Sequence, residues 1–70
     1  MAVDEQLGRN LLKARQRAEL TQVELGQRAF ITQAQISTLE RGVNYPRVET
    51  LLRLAGALGV PAGDLLAGVG

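Results

Sequence analysis

The chain has 70 residues, with 8 Lys and Arg against 7 Asp and Glu, neither His nor Cys, and a formal net charge of +1. Without those two residue types there is no disulfide, no thiolate or imidazole metal ligand and no histidine general base, so no metal or cofactor is expected and most routes to an enzyme are closed. One Phe and one Tyr make no stacking platform for single strands, and a pI near 8.3 falls short of the basic excess of a non-specific nucleic-acid coat.

Val3, Leu7, Leu11, Ala14 and Ala18 recur at helical spacing, widened by Leu12. Arg9, Lys13, Gln16 and Arg17 lie opposite, the three cations reading as a solvated stripe. This pattern predicts a first helix from about Asp4 to Ala18. Thr21-Gln22-Val23-Glu24 fits a capping box, with Leu20 and Leu25 placed to staple it, and opens a short helix ending near Ala29. Thr32-Gln33-Ala34-Gln35 repeats the start signal with Gln in place of Glu. Its helix turns Ile36 and Leu39 inward and stops at Gly42. Val43 to Pro46 reads as a loop. From about Val48, Leu51, Leu54, Ala55 and Leu58 form another stripe closed by Gly59, and Pro61 suits the first turn of a last helix carrying Leu65 and Leu66.

The expected architecture is all-α: five short helices in one domain over 1–70, with the helix-turn-helix at about 21–41 and the C-terminal helices at about 48–67. The opening Met-Ala-Val-Asp-Glu lacks a basic n-region and no apolar run approaches about 18 residues, so a soluble cytoplasmic protein that avoids membranes is expected.

Two helices joined by a short turn make a DNA-reading motif when the second can lie in the major groove. Thr21-Gln22-x-Glu24-Leu25, then Ile36-Ser37-x-x-Glu40-x-Gly42, then Pro46 followed by Leu51, Leu54, Ala55 and Leu58-Gly59-Val60, resemble the lambda-repressor-like family of DNA-binding regulators (Cro, phage repressor, XRE). The likeness runs from about Leu7 to Leu66, and its weight lies in the joint spacing.

With Ile36 and Leu39 inward at about 100° per residue, Ala34 and Thr38 project opposite them, flanked by Gln35, Ser37 and Arg41, while Gln33 sits in the first turn. Gln can bind adenine at two atoms, Thr can bond several bases, and an Ala methyl packs on the thymine methyl. Taken alone, such a face can equally be an ordinary solvated one. The resemblance implies base readers at Gln33, Ala34 and Thr38, with Thr32 and Gln35 as additions. It implies phosphate contacts at Gln22, Ser37 and Arg41 and at the loop donors Asn44, Tyr45 and Arg47. It also implies an ion pair of Arg15 with Glu40 that fixes the recognition helix and presents Arg15 near a phosphate. Arg41 has a second reading, as a complement to the helix C-terminus. Glu24 reads first as a cap; its alternative, taken from some family members, is a contact with RNA polymerase.

Two positions depart from the family. Phe30 replaces the turn glycine, so either the turn differs or Phe30 gains packing on Leu25 or Ile31 to offset a left-handed backbone. Gly26 replaces a small residue that is usually Ala.

One reading head contacts only about four or five base pairs, too few for a genomic site, so a homodimer on a pseudo-palindrome with half-sites roughly 10 bp apart is expected. Leu58, Val60, Leu65, Leu66 and Val69 are the candidate interface, or else they simply close the core. The leading expectation is a transcriptional regulator that represses by occupying double-stranded DNA, with no inducer pocket in so small a core. The alternatives are a protein–protein module of the same fold (antitoxin or adaptor) and the DNA-binding domain of a larger protein. Charge placement fits the first: residues 32–47 hold Arg41 and Arg47 against Glu40, which the resemblance turns inward.

Overall fold

The computed structural model describes the backbone of residues 3–69 and the side chains of 4–69, so the side chain of Val3 lies outside the described residues. Among them are five helices and no strand: α1 Val3–Arg17, α2 Gln22–Ala29, α3 Gln33–Glu40, α4 Val48–Leu58 and α5 Ala62–Leu65. The all-α expectation holds, with each boundary within two residues of its local signal.

Both capping boxes form. Thr21 Oγ1 accepts from Glu24 N at 3.0 Å while a Glu24 carboxylate oxygen accepts from Thr21 N at 2.9 Å. Thr32 Oγ1 accepts from Gln35 N at 3.1 Å and Gln35 Oε1 accepts from Thr32 N at 3.0 Å. Each box satisfies donors that the first helical turn would otherwise leave unpaired. Leu20 and Leu25, the predicted staple, are both buried.

The first four helices also end alike. In each, the chain passes through a left-handed residue (Glu19, Phe30, Gly42 or Gly59), and the next residue sends its N–H back to a carbonyl five positions earlier. The residue following is apolar every time: Leu20, Ile31, Val43, Val60. Glycine takes this conformation freely. Glu19 and Phe30 do not, at φ +58 and +59. Because the first of these turns ends α1 at Arg17, Ala18 falls outside the helix and is exposed rather than continuing the apolar stripe.

Leu11, Leu25, Ile36, Leu54 and Leu65 are the largest fully buried side chains and draw one from each helix into a common centre. α1 packs on α3 and α5, α2 on α3 and α4, and α4 on α5. The α1–α3 contact is close because Gly8 lies in it: a Cβ there would stand 2.6 Å from the Leu39 carbonyl oxygen and 2.8 Å from that of Glu40. Asn10 closes the far side. Its amide nitrogen donates to the carbonyls of Leu65 at 2.9 Å and Ala67 at 2.7 Å, holding the C-terminal turn to α1.

The turn between α2 and α3 keeps its left-handed residue although that residue is Phe30, and the expected packing of its ring on Leu25 or Ile31 is overturned, since the side chain is 85% exposed. Gly26 supplies room instead. Its carbonyl accepts from both Phe30 and Ile31, and a Cβ on Gly26 would fall 2.4 Å from the Ile31 carbonyl oxygen. Phe30→Gly is therefore expected to stabilise the fold by about 1 kcal/mol, the relief of a left-handed backbone less the added freedom of glycine in the unfolded chain. A thermal melt should show the midpoint raised by about 4–8 °C; an unchanged or lower midpoint would mean the turn is not strained.

Candidate nucleic-acid interface

α3 is held from behind by an ion pair. Arg15 of α1 donates from Nε to Glu40 Oε2 at 2.6 Å and from Nη2 to Oε1 at 3.1 Å, a two-pronged arrangement. Its Nη1 donates to the Leu20 carbonyl at 2.9 Å. Gln22 of α2 joins through Nε2 to Glu40 Oε1 at 2.9 Å. The Arg15 and Glu40 side chains are only 15% and 6% exposed. The hydrogen bond from Arg15 to Glu40 raises the guanidinium above its ordinary pKa, against the opposing effect of burial. Arg15 of α1 and Gln22 of α2 thus converge on one carboxylate at the end of α3, and Arg15 ties the α1–α2 connection to the same group.

This arrangement changes two sequence expectations. Arg15 directs all three of its nitrogens at protein acceptors, so most of its guanidinium hydrogens are spent on holding α3 rather than offered to a phosphate. Gln22 uses its amide nitrogen to tie α2 to the same pair; the nitrogen carries a second hydrogen, and the residue stays half exposed at the start of α2.

On its outer side α3 presents Gln33, Ala34 and Gln35 exposed, with Ser37 and Thr38 half exposed, while Ile36 and Leu39 are buried as the spacing predicted. Thr32 and Gln35 are engaged in the cap, with the Thr32 hydroxyl also donating to Gln35 Oε1 at 3.1 Å, so what Gln35 shows outward is its amide nitrogen. Thr38 donates its hydroxyl to the Ala34 carbonyl at 2.9 Å and its oxygen accepts a long bond from Arg41 Nη2 at 3.5 Å, leaving one lone pair outward. Arg41 folds back on the last turn of α3, its Nε donating to the Ser37 carbonyl at 3.3 Å, which favours its reading as a complement to the helix C-terminus.

The loop after α3 brings in the other group. Asn44, Tyr45 and Arg47 are exposed, anchored by buried Pro46. With Ala34, Gln35 and Thr38 they line a single surface groove of about 510 Å³. Candidate base readers and candidate phosphate donors, up to 13 positions apart in the chain, thus share one concavity. Thr50 at the start of α4 lines it too and had no local signal to mark it. Gln33 lies outside this groove, on the side of Phe30. Asn10 and Gly8 were also missed, because an Asn or Gly inside a helical stripe says nothing about what packs against it.

Of the expected dimer residues, Leu65 is corrected: at 1% exposed it is core, drawn in where α5 packs on α1 and α4. Leu58, Val60, Leu66 and Val69 are half-buried against that core. Among large apolar side chains of the described residues the outward ones lie elsewhere: Val48 and Leu52 on α4, Phe30 and Val23 around α2, and Val43 and Tyr45 in the loop after α3. Among the described residues no cluster of His, Cys, Asp and Glu could hold a metal ion, and no helix is long and apolar enough to cross a membrane.

The sequence pattern of a helix-turn-helix family matches residues 11–65. The chain is 42% identical over 60 residues to y4dJ of Sinorhizobium fredii, an HTH-type transcriptional regulator, covering 86% of this chain and 78% of that one. Its fold superposes on the clp gene regulator ClgR of Corynebacterium glutamicum with a TM-score of 0.89 at 30% identity, over 96% of this chain and 87% of that one. The restriction–modification controller protein C.AhdI of Aeromonas hydrophila shares the fold at a TM-score of 0.86 and 24% identity, over 89% of this chain and 94% of that one.

Two outcomes follow from the packing. Glu40→Ala leaves the Arg15 charge half-buried without its partner and should destabilise by about 3 kcal/mol in urea unfolding, whereas Arg15→Met with Glu40→Leu should recover most of that loss. Glu24 titrates differently. Hydrogen bonds from the backbone and then the side chain of Thr21 hold its pKa below the ordinary value, so its contribution is present at neutral pH and fades as pH falls through the folded pKa. Glu24→Gln keeps the cap as Gln35 does, so its melting midpoint should lie below wild type at pH 7. The gap should close below about pH 4.3, the ordinary carboxylate value. A gap independent of pH would remove the charged cap.

Proposed function

The chain belongs to the helix-turn-helix family and is a transcriptional regulator with a DNA-binding fold, and on that premise we propose that it represses as a homodimer, each copy laying α3 in the major groove of half of a pseudo-palindromic operator. The observation that carries this reading is the shared groove, where the amide and hydroxyl face of α3 meets the Asn44, Tyr45 and Arg47 donors. A helix about 10–12 Å across fits a major groove about 12 Å wide. Gln33, Ala34 and Thr38, with the outward amide of Gln35, read base edges. Asn44, Tyr45 and Arg47, with the remaining Gln22 hydrogen and Ser37, bind phosphate and fix register. Thr32 serves as the cap.

Charge supports the same reading. Glu40, the acid within 32–47, is turned inward and paired, so the surface offered to DNA is more positive than the total of +1. Attraction to any duplex is then modest, and selectivity comes from amide contacts and from a second copy. Repression by occupancy requires no contact with RNA polymerase, and Glu24, the acid considered for one, is committed to its cap. Such a regulator works in the cytoplasm.

Binding to duplexes taken from upstream of its own gene, titrated with salt, tests this. Log K should fall linearly as log salt rises. Gln33→Ala should lose about 1–3 kcal/mol at one base pair, whereas Arg47→Ala should weaken all sequences alike and flatten the slope. An equal loss on every sequence for Gln33→Ala would remove its base-reading role, and no selective binding alongside a tight protein partner would favour a protein–protein module. For the dimer, size exclusion with light scattering should give twice 7.5 kDa. Leu58→Glu or Leu66→Glu should return the protein to the monomer; a concentration-independent monomer of the wild type would remove the dimer.

A further inference from the structure

Phe30 has properties that no role inside the folded chain explains. Its backbone is left-handed at φ +59, where a side chain is a burden and glycine is not. Its ring is 85% exposed, the most open of the large apolar side chains among the described residues, so packing returns nothing. Its surroundings point to a use. Phe30 and Val23, itself 46% exposed, stand with Gln27 on one side of a shallow, largely apolar depression. The other side is the start of α3: Thr32, Gln33 and Gln35. No charged residue lines this depression.

Resting on the DNA-reading proposal above, we propose that Phe30 is itself a DNA contact, its ring packed on the 5-methyl group of a thymine and the adjoining deoxyribose beside the base met by Gln33. Continuity selects this occupant: whatever fills the depression also touches the first turn of α3, which leads the helix into the groove. Chemistry selects the group. An uncharged apolar hollow has nothing to offer a phosphate, and the thymine methyl is the apolar group that base pairs present in the major groove. A glycine at this turn would have no side chain to make the contact. The strain at Phe30 is then a feature of the free protein that is offset only on the operator, and the operator should carry a required thymine next to the Gln33 position.

The test compares wild type with Phe30→Gly, both as full chains, on the duplex the wild type selects and on copies in which each thymine in turn is replaced by uracil, which lacks only the methyl. One thymine should emerge where uracil weakens wild-type binding about fourfold, the effect of one buried methyl group. The same replacement should leave Phe30→Gly unaffected. That variant should bind the thymine duplex at least fourfold more weakly while keeping the base preference set by Gln33. Thermal melts would show it folded. Identical uracil profiles for the two proteins would overturn the inference, as would undiminished DNA binding by Phe30→Gly, including the case in which it loses a protein partner instead. If the wild type selects no duplex at all, the DNA-reading proposal fails first and takes this one with it, so the two failures are told apart.

Discussion

The carboxylate of Glu40 is the point on which the orientation of α3 depends. α3 has only eight residues, too few to persist on its own, so its direction is set by what grips its ends. At the start the grip is local, through the Thr32–Gln35 cap. At the finish it is tertiary: Glu40 accepts two bonds from Arg15 and one from Gln22, while Arg15 also holds the Leu20 carbonyl. A half-buried pair of this kind adds little net stability over apolar residues of similar shape. It adds direction, because a two-pronged bond fixes angles that apolar packing leaves free. Gly8 completes the seat by letting the backbones of α1 and α3 come together just behind Glu40.

The turn before α3 follows a different logic. The first four helices stop through the same hydrogen-bonded device, and two of them place glycine where it costs nothing. At α2 the side chain and the space have changed places. Phe30 occupies the position that favours glycine, and a glycine stands four residues earlier, where the returning Ile31 carbonyl leaves no room for a Cβ. The turn survives with its geometry intact because Gly26 supplies close approach, while the strain of Phe30 stays uncompensated within the monomer. Natural chains break a local rule mainly where a site needs it broken.

Electrostatics is organised by the same pair. With Glu40 folded inward, Arg47, Asn44 and Tyr45 face outward beside a neutral α3, and the near-zero net charge conceals a favourable local one. Such a surface depends on hydrogen-bond geometry more than on field strength. Rigid seating of α3 therefore matters more here than it would in a strongly basic protein.

How much the sequence determined divides along the range of the interactions. Both capping boxes, the glycine helix ends after α3 and α4, the inward Ile36 and Leu39, and the outward Gln33 and Ala34 were all legible, because bonds three or four residues apart and a 3.6-residue period are written in neighbouring positions. The family likeness added the Arg15–Glu40 pair, which spacing alone could not. Only the tertiary structure decided the rest. It took Leu65 out of the candidate dimer surface and into the core, turned Asn10 to carbonyls 55 and 57 residues away, drew Gln22 into the ion pair, and gathered α3 and the 44–47 loop around one groove. It also left Phe30 in the open. Each of these depends on which faces meet after the chain has folded back on itself. No local pattern encodes that choice, because the same apolar or amide side chain serves either face.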